Sequence, residues 1–262
     1  MVAGDYGAFD KRMGAMLILL AFRVLIDIYK KAGMTPHHIQ RMWGIAYDIA
    51  CSWCIYNGDL VQFLGSNPSG HPLTVIINCI VNSLYMRYCY YVLNPENEVV
   101  SFRKFVALIT YGDDNAANIA DKVIHLFNQE TISAIMAEMK HEYTDEGKSG
   151  TIIKSRQLED IFFLKRGFRF CPELQRTVAP LKIEVIYEML NWTRNTIDPN
   201  VILMSNINTA FREVVNHGRD AYDELYRGIM RIAVKLPAIP QISTYEQYLH
   251  DLTYLADEVY EF

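Results

Sequence analysis

The sequence predicts an α+β fold, in which an antiparallel sheet backed by helices is followed by an all-helical region. Three observations carry this. Short apolar runs at Val2–Gly4 and Val106–Thr110 border acidic residues, the pattern of strands that end in tight turns. Longer runs, above all Leu73–Leu93, repeat apolar residues every three and four positions, which is the helical period. Past residues 171–180 the strand signals stop and helix signals take over. With 262 residues, 51% of them hydrophobic, the chain can bury a large core. Its 21% charged residues place it among neither disordered nor collagen-like chains. The net charge of −5 argues, on its own, against a freestanding nucleic-acid-binding domain, which carries a basic excess.

The elements follow in order. Val2-Ala3-Gly4 reads as the end of a strand, with Asp5 immediately after it. Met13–Lys31 is a helix with apolar residues at Leu17, Leu20, Val24, Leu25 and Ile28, stopped at Gly33. Thr35 caps a second helix that has Pro36 at its first position and runs towards Cys54. Asn57-Gly58-Asp59 is a hairpin turn, and Gly65–Gly70 a loop. After the Leu73–Leu93 helix, Val106–Thr110 is a buried strand, Tyr111-Gly112-Asp113-Asp114 a turn, and Asn118-Ile119 begins the return strand. Asn128–Glu142 is a helix, Tyr143–Lys154 loop and strand, and Ile161–Phe170 a strand pair turning near Arg166-Gly167. Helices follow from Pro180, with starts at Asp198-Pro199 and at the capping box Thr244–Gln247.

Five cysteines, Cys51, Cys54, Cys79, Cys89 and Cys171, form no regular framework and suit a reducing compartment. Cys51 and Cys54 fall in a helical-looking run, Trp43–Tyr56, and read as core residues rather than metal ligands. The apolar stretch Gly14–Leu25 is bounded by Arg23 and Asp27 and is too short to span a bilayer, so no stable membrane insertion is expected.

Asp5, Asp113 and Asp114 stand out chemically. If their strands are neighbours, the three carboxylates converge at one sheet edge, where they repel one another and call for a cation. Hard oxygen ligands suit Mg²⁺ or Mn²⁺. A pair of such ions, roughly 4 Å apart, can clamp the attacking and leaving oxygens of a phosphoryl transfer. An acidic turn alone is a weak signal, because Asp is common in turns.

Five motifs occur in order: D-Y-G-A-F-D at Asp5–Asp10, P-S-G-H-P-L-T-V-I-I-N at Pro68–Asn78, Y-G-D-D at Tyr111–Asp114, G-K-S at Gly147–Ser149, and F-L-K-R at Phe163–Arg166. As an ordered set they closely resemble the RNA-dependent RNA polymerases of picorna-like positive-strand RNA viruses, most of all the algal, diatom and invertebrate group. The resemblance implies a right-hand polymerase palm over 1–178, with a partial fingers insertion over about 14–68, and a helical thumb over 179–262. It implies two-metal nucleotidyl transfer from a nucleoside triphosphate to the 3′-OH of a growing RNA on an RNA template, with two Mg²⁺ ions for which Mn²⁺ can substitute.

The resemblance also assigns roles. Asp5, Asp113, Asp114 and the Tyr6 carbonyl would hold metal. Asp10, Ser69 and Asn78 would sense the ribose 2′-OH, with Thr74 in the same network. Ser69-Gly70 would form a mobile loop, and the φ freedom of Gly70 suits that role. Lys148 would be the general acid for the departing pyrophosphate, help typically worth ~10²–10⁴-fold. Lys165 and Arg166 would support the primer by neutralising phosphates, which positions RNA without reading sequence.

The basic fingers region upstream of the first motif has no counterpart, so a fragment with little activity of its own is expected. The net charge then fits a palm and thumb whose acids serve metal, and an RNA partner is not excluded. The partners implied are RNA template-primer, nucleoside triphosphates and other viral replication proteins. The setting implied is the host-cell cytoplasm, in membrane-associated replication complexes. Two other readings compete: a reverse transcriptase-type polymerase, which Gly112, Asp10 and Asn78 disfavour, and a non-catalytic interaction fragment.

Overall fold

Hairpins and capped helices build the molecule in two units, Met1–Gln157 and Leu158–Phe262. The computed structural model describes all residues except 149, 151–152, 193–197, 237–239 and 258–262. The division falls upstream of residues 171–180, where the composition shifts, and of the 178/179 boundary that the resemblance implies.

The first unit opens with β1 (Val2–Gly7) and a one-turn helix α1 (Phe9–Arg12), then α2 (Ala15–Lys31) and α3 (Pro36–Ala50). Gly33, at φ +83°, ends the α2 segment as expected. The Thr35 side chain accepts from the His38 N–H, and Pro36 takes the first turn of α3. A hairpin of β2 (Trp53–Tyr56) and β3 (Asp59–Gln62) follows, then α4 (Thr74–Leu93) and α5 (Phe102–Phe105). The unit closes with β4 (Val106–Tyr111), β5 (Asp114–Ile119), α6 (Asp121–Ile124), α7 (Gln129–Glu138) and β6 (Glu142–Asp145).

The main sheet is antiparallel, in the order β4-β5-β1-β6. α4 packs on β4, α2 and α7 and supplies the spine of the core. Its buried residues come in pairs four apart, Ile77/Asn78, Val81/Asn82, Tyr85/Met86 and Cys89/Tyr90. This is one helical face, and it is apolar except for two asparagines. Gly4 has to be glycine, because a Cβ there would lie 2.1 Å from the ring of Tyr143 on β6.

Several elements differ from the sequence reading. β1 runs through Asp5 to Gly7 instead of ending before Asp5. The return strand begins at Asp114, not Asn118, because Tyr111 pairs with Asp114 around a two-residue turn. Ala116 and Ala117 have little strand propensity, yet both are buried in β5; the hairpin register places them there. α3 stops at Ala50, and Cys54 is an exposed strand residue rather than a core one. α7 ends at Glu138, and the residues after it turn into β6.

The second unit holds the hairpin β7 (Arg169–Cys171) and β8 (Arg176–Val178), then α8 (Ile183–Met189), α9 (Pro199–Val214), α10 (Arg219–Ile232) and α11 (Tyr245–Asp257). The Asp198 side chain caps α9 through the Asn200 N–H. Thr244 and Gln247 exchange side-chain and backbone hydrogen bonds before α11. In place of the strand pair expected over Ile161–Phe170 there are isolated bridges, Phe163 with Arg166 around Leu164 and Lys165, both at positive φ, and Arg166 with Leu181. The regular hairpin lies further on, at β7–β8. The core of this unit joins Ile186, Ile207, Phe211, Val214, Tyr222 and Leu225 of its helices.

Candidate active site at the acidic edge of the sheet

The β1–β5 register pairs Gly4 with Asn115, so the next step along it sets Asp5 across from Asp114. Asp113 sits at the tip of the β4–β5 turn, where Gly112 takes φ +61°. The three acids thus converge as their strand order requires. Burial raises the Asp113 pKa, and the charges of Asp5 and Asp10 add to this against its own and the Asp114 backbone N–H. Burial raises Asp114 likewise, followed by the charges of Asp113, Asp5 and Glu146. Crowded, partly desolvated carboxylates of this kind are stabilised by a cation.

One cation is already present in the chain. The Lys148 Nζ lies 2.9 Å from Asp5 Oδ2, and that carboxylate raises the lysine pKa. Lys148 is mostly exposed, at 67%, and stands at φ +50°. Ser149 of the same motif lies outside the described residues. The Tyr6 ring is buried, and its hydroxyl donates to Asn82 Oδ1 at 3.3 Å.

Beside the acids lies a second network. Asn78 Nδ2 donates to Asp10 Oδ1 at 2.6 Å, and Asn67 Nδ2 donates to Asn78 Oδ1 at 2.7 Å. Asn67 also donates to the Thr74 carbonyl, and its backbone N–H to the Asp10 carbonyl. Asp10 and Asn78 are therefore brought together across 68 positions of sequence. The Thr74 hydroxyl does not reach them. It donates to the carbonyls of Pro68 and His71 and folds the loop before α4, so Thr74 joins the network only through Asn67. Ser69 and Gly70 are exposed on that loop, with Gly70 at φ +85°.

Sequence reading missed Asn67 and Asn82. For Asn82 a signal existed: a second amide four residues after Asn78 on an otherwise apolar helix face.

In the second unit, Lys165 is exposed at the tip of its turn. Arg166 is not free, because its guanidinium grips Glu213 with two hydrogen bonds, at 2.8 and 2.7 Å, and donates to the Ala179 carbonyl. That bidentate pair fastens the turn to α9.

Among the described residues no three acidic, histidine or cysteine side chains form a ready-made cage for a metal ion. The donor set still fits a hard divalent cation. Such an ion commonly takes one or two carboxylates and completes its shell with water and substrate phosphates.

The family model for viral RNA-dependent RNA polymerase matches residues 1–233. The chain belongs to the viral RNA-dependent RNA polymerase family. It is 50% identical to the replicase polyprotein of Drosophila C virus (strain EB) over 275 aligned residues, which covers 100% of this chain and 16% of that polyprotein. It is 48% identical to the replicase polyprotein of cricket paralysis virus, again over 100% of this chain and 16% of that one. The chain thus spans only a small part of these relatives. Among solved structures it is similar to the sicinivirus 3Dpol RNA-dependent RNA polymerase, with a TM-score of 0.74 at 18% identity. That match covers 95% of this chain and 50% of the other. The picorna-like polymerase resemblance carried by the five motifs holds, and so does the α+β polymerase fold.

Proposed function

We propose that this chain carries the palm and thumb of a viral RNA-directed RNA polymerase. The observation that carries the reading is the convergence of Asp5, Asp113 and Asp114 on adjacent strands, with the Asp10–Asn78 pair beside them. Family membership supports it. We assign the palm to 1–178, with a partial fingers insertion over about 14–68, and the helical thumb to 179–262.

Asp5, Asp113, Asp114 and the Tyr6 carbonyl would hold two Mg²⁺ ions, or Mn²⁺ in their place. Bound there, such ions would supply positive charge to lower the pKa of the primer 3′-hydroxyl and to offset the charge on the leaving phosphate. The 3′-hydroxyl gives up its proton to water as its oxygen bonds to the α-phosphorus of the incoming nucleoside triphosphate. The bond from that phosphorus to the β-phosphate bridging oxygen breaks, and pyrophosphate leaves. Lys148, kept protonated beside Asp5, can give the departing pyrophosphate its proton. Asp10 and Asn78 offer an acceptor and an amide to a ribose 2′-OH, and a substrate lacking that hydroxyl leaves them unpaired. This favours ribonucleotides and stands against a reverse transcriptase. Lys165 is the exposed cation available to RNA phosphate on its turn, because Arg166 is held by Glu213.

Among the described residues no helix is long and apolar enough to cross a membrane. We place the working enzyme with other viral replication proteins, in membrane-associated complexes in the host-cell cytoplasm. The test is extension of an RNA primer on an RNA template, by this chain and by a longer replicase segment containing it. Extension with ribonucleotides that Asp113→Ala abolishes supports the reading. Extension unchanged by Asp113→Ala refutes it.

A further inference from the structure

Asn82 is fully buried on α4, at 0% exposure, directly beneath the acidic turn. Its Nδ2 lies within hydrogen-bond reach of three consecutive carbonyls, Gly112 at 3.2 Å, Asp113 at 2.8 Å and Asp114 at 3.3 Å. Carbonyls only accept, so the amide has to present its nitrogen to the turn, and its orientation follows from its partners. Its Oδ1 then faces two donors, the Tyr6 hydroxyl at 3.3 Å and Asn115 Nδ2 at 3.2 Å. Asn115 Oδ1 in turn accepts from the Tyr143 hydroxyl at 2.8 Å. One carboxamide therefore uses its whole hydrogen-bonding capacity to join α4, β1, β5 and the turn, and through Asn115 also β6.

The consequence for the acids is directional. The three carbonyls point inward to Asn82. On the other side of the turn, the backbone N–H groups of Asp113 and Asp114 reach the Asp113 carboxylate. Cys79, one turn earlier on α4, accepts the Gly112 N–H on its sulfur at 3.1 Å, and its carbonyl accepts from the Thr110 hydroxyl. The turn is clamped from below by one helix face, and within that clamp Asn82 also grips Tyr6 of β1, the strand of Asp5.

We propose that Asn82 is the positioning residue that fixes Asp113 and Asp114 relative to Asp5, and so sets the affinity of this edge for a divalent cation. This rests on the metal-dependent reading above. It differs from the role of Asn78, which faces Asp10 and not the turn.

The test uses the 262-residue chain with Asn82→Leu, Asn82→Ser and the core control Val81→Ala. The leucine removes every polar contact while keeping a four-atom side chain branched at Cγ, and the smaller serine keeps a shorter donor if the bulkier leucine does not fold. Hydrogen exchange over Tyr111–Asn115 is measured first. Exchange there is expected to speed up about tenfold or more in Asn82→Leu, less in Asn82→Ser, and not selectively in Val81→Ala. Titration with Mn²⁺ alone is then expected to show the dissociation constant rising about tenfold in the Asn82 variants and unchanged in Val81→Ala. Unchanged exchange and unchanged Mn²⁺ affinity in a folded Asn82 variant overturn the proposal. So does an equal loss of affinity in Val81→Ala at equal stability. If the unsubstituted chain takes up no Mn²⁺, the metal reading falls. Exchange then decides by itself whether Asn82 holds the turn.

Discussion

Replacing Asp10 and Asn78 by alanine, singly and together, probes the ribose-sensing pair most sharply. Their hydrogen bond is short, 2.6 Å, and joins a 6%-exposed amide to a carboxylate. Hydrogen bonds to charged groups contribute about 1.5–3 kcal/mol. Asp10 is only half-buried and regains some water when its partner goes, so about 1–2 kcal/mol of coupling is expected. Each single variant should lower the melting temperature of the first unit by roughly 2–8 °C, at about 2–4 °C per kcal/mol. The double variant should lose less than the sum, because the pair is broken only once. Independent sites add to within about 0.3–0.5 kcal/mol, so the coupling is resolvable by thermal or urea unfolding. The same energy should appear in substrate choice, where Asn78→Ala should cut the preference for ribonucleotides over deoxyribonucleotides by about 5- to 30-fold. Strict additivity in unfolding, together with an unchanged sugar preference, would falsify the paired reading of Asp10 and Asn78.

Three further outcomes follow from the same geometry. Gly4→Ala should be among the most destabilising single changes, at about 3 kcal/mol or more, because the new methyl meets the Tyr143 ring within the sheet; an unchanged urea midpoint would contradict the close packing. His141 is buried with its Nε2 2.7 Å from the Tyr85 hydroxyl, and burial, followed by the charge of Arg12, lowers its pKa. The unfolded state therefore takes up the proton first, so stability is intact above about pH 6.5 and falls as the pH drops through the lowered folded value; urea midpoints against pH should show this slope, and His141→Gln should flatten it. Lys148→Met should slow nucleotide addition by roughly 10²–10⁴-fold while barely moving the melting temperature, because the lysine is exposed; an undiminished rate would remove it from the chemistry.

Much of this was legible in the sequence because the relevant physics is local. Thr35-Pro36, Asp198-Pro199 and Thr244–Gln247 cap their helices through bonds that span two or three residues. The α4 face is written in a repeat of four, and the acidic turn in four consecutive residues. What escaped depends on partners distant in sequence. Asn82 reads as a second amide on an apolar helix face, with no partner in view until the β4–β5 turn arrives over it, 30 to 32 positions later. Asn67 lies in a loop, and its purpose appears only when Asn78 and Asp10 meet. Cys54 looked helical because apolar residues surround it, but a hairpin register sets its neighbours. Arg166 was legible as a cation but not as one held by Glu213, 47 positions on.

The central claim is that β1 and the β4–β5 turn form one metal-dependent site for nucleotidyl transfer. Its most direct measurement is the anomalous signal of Mn²⁺ in crystals of this chain soaked with the ion and a ribonucleoside triphosphate. Manganese peaks bridging the Asp5, Asp113 and Asp114 carboxylates and the triphosphate, lost in Asp113→Ala, are the predicted result. An empty acidic edge, with manganese bound elsewhere or not at all, would contradict it.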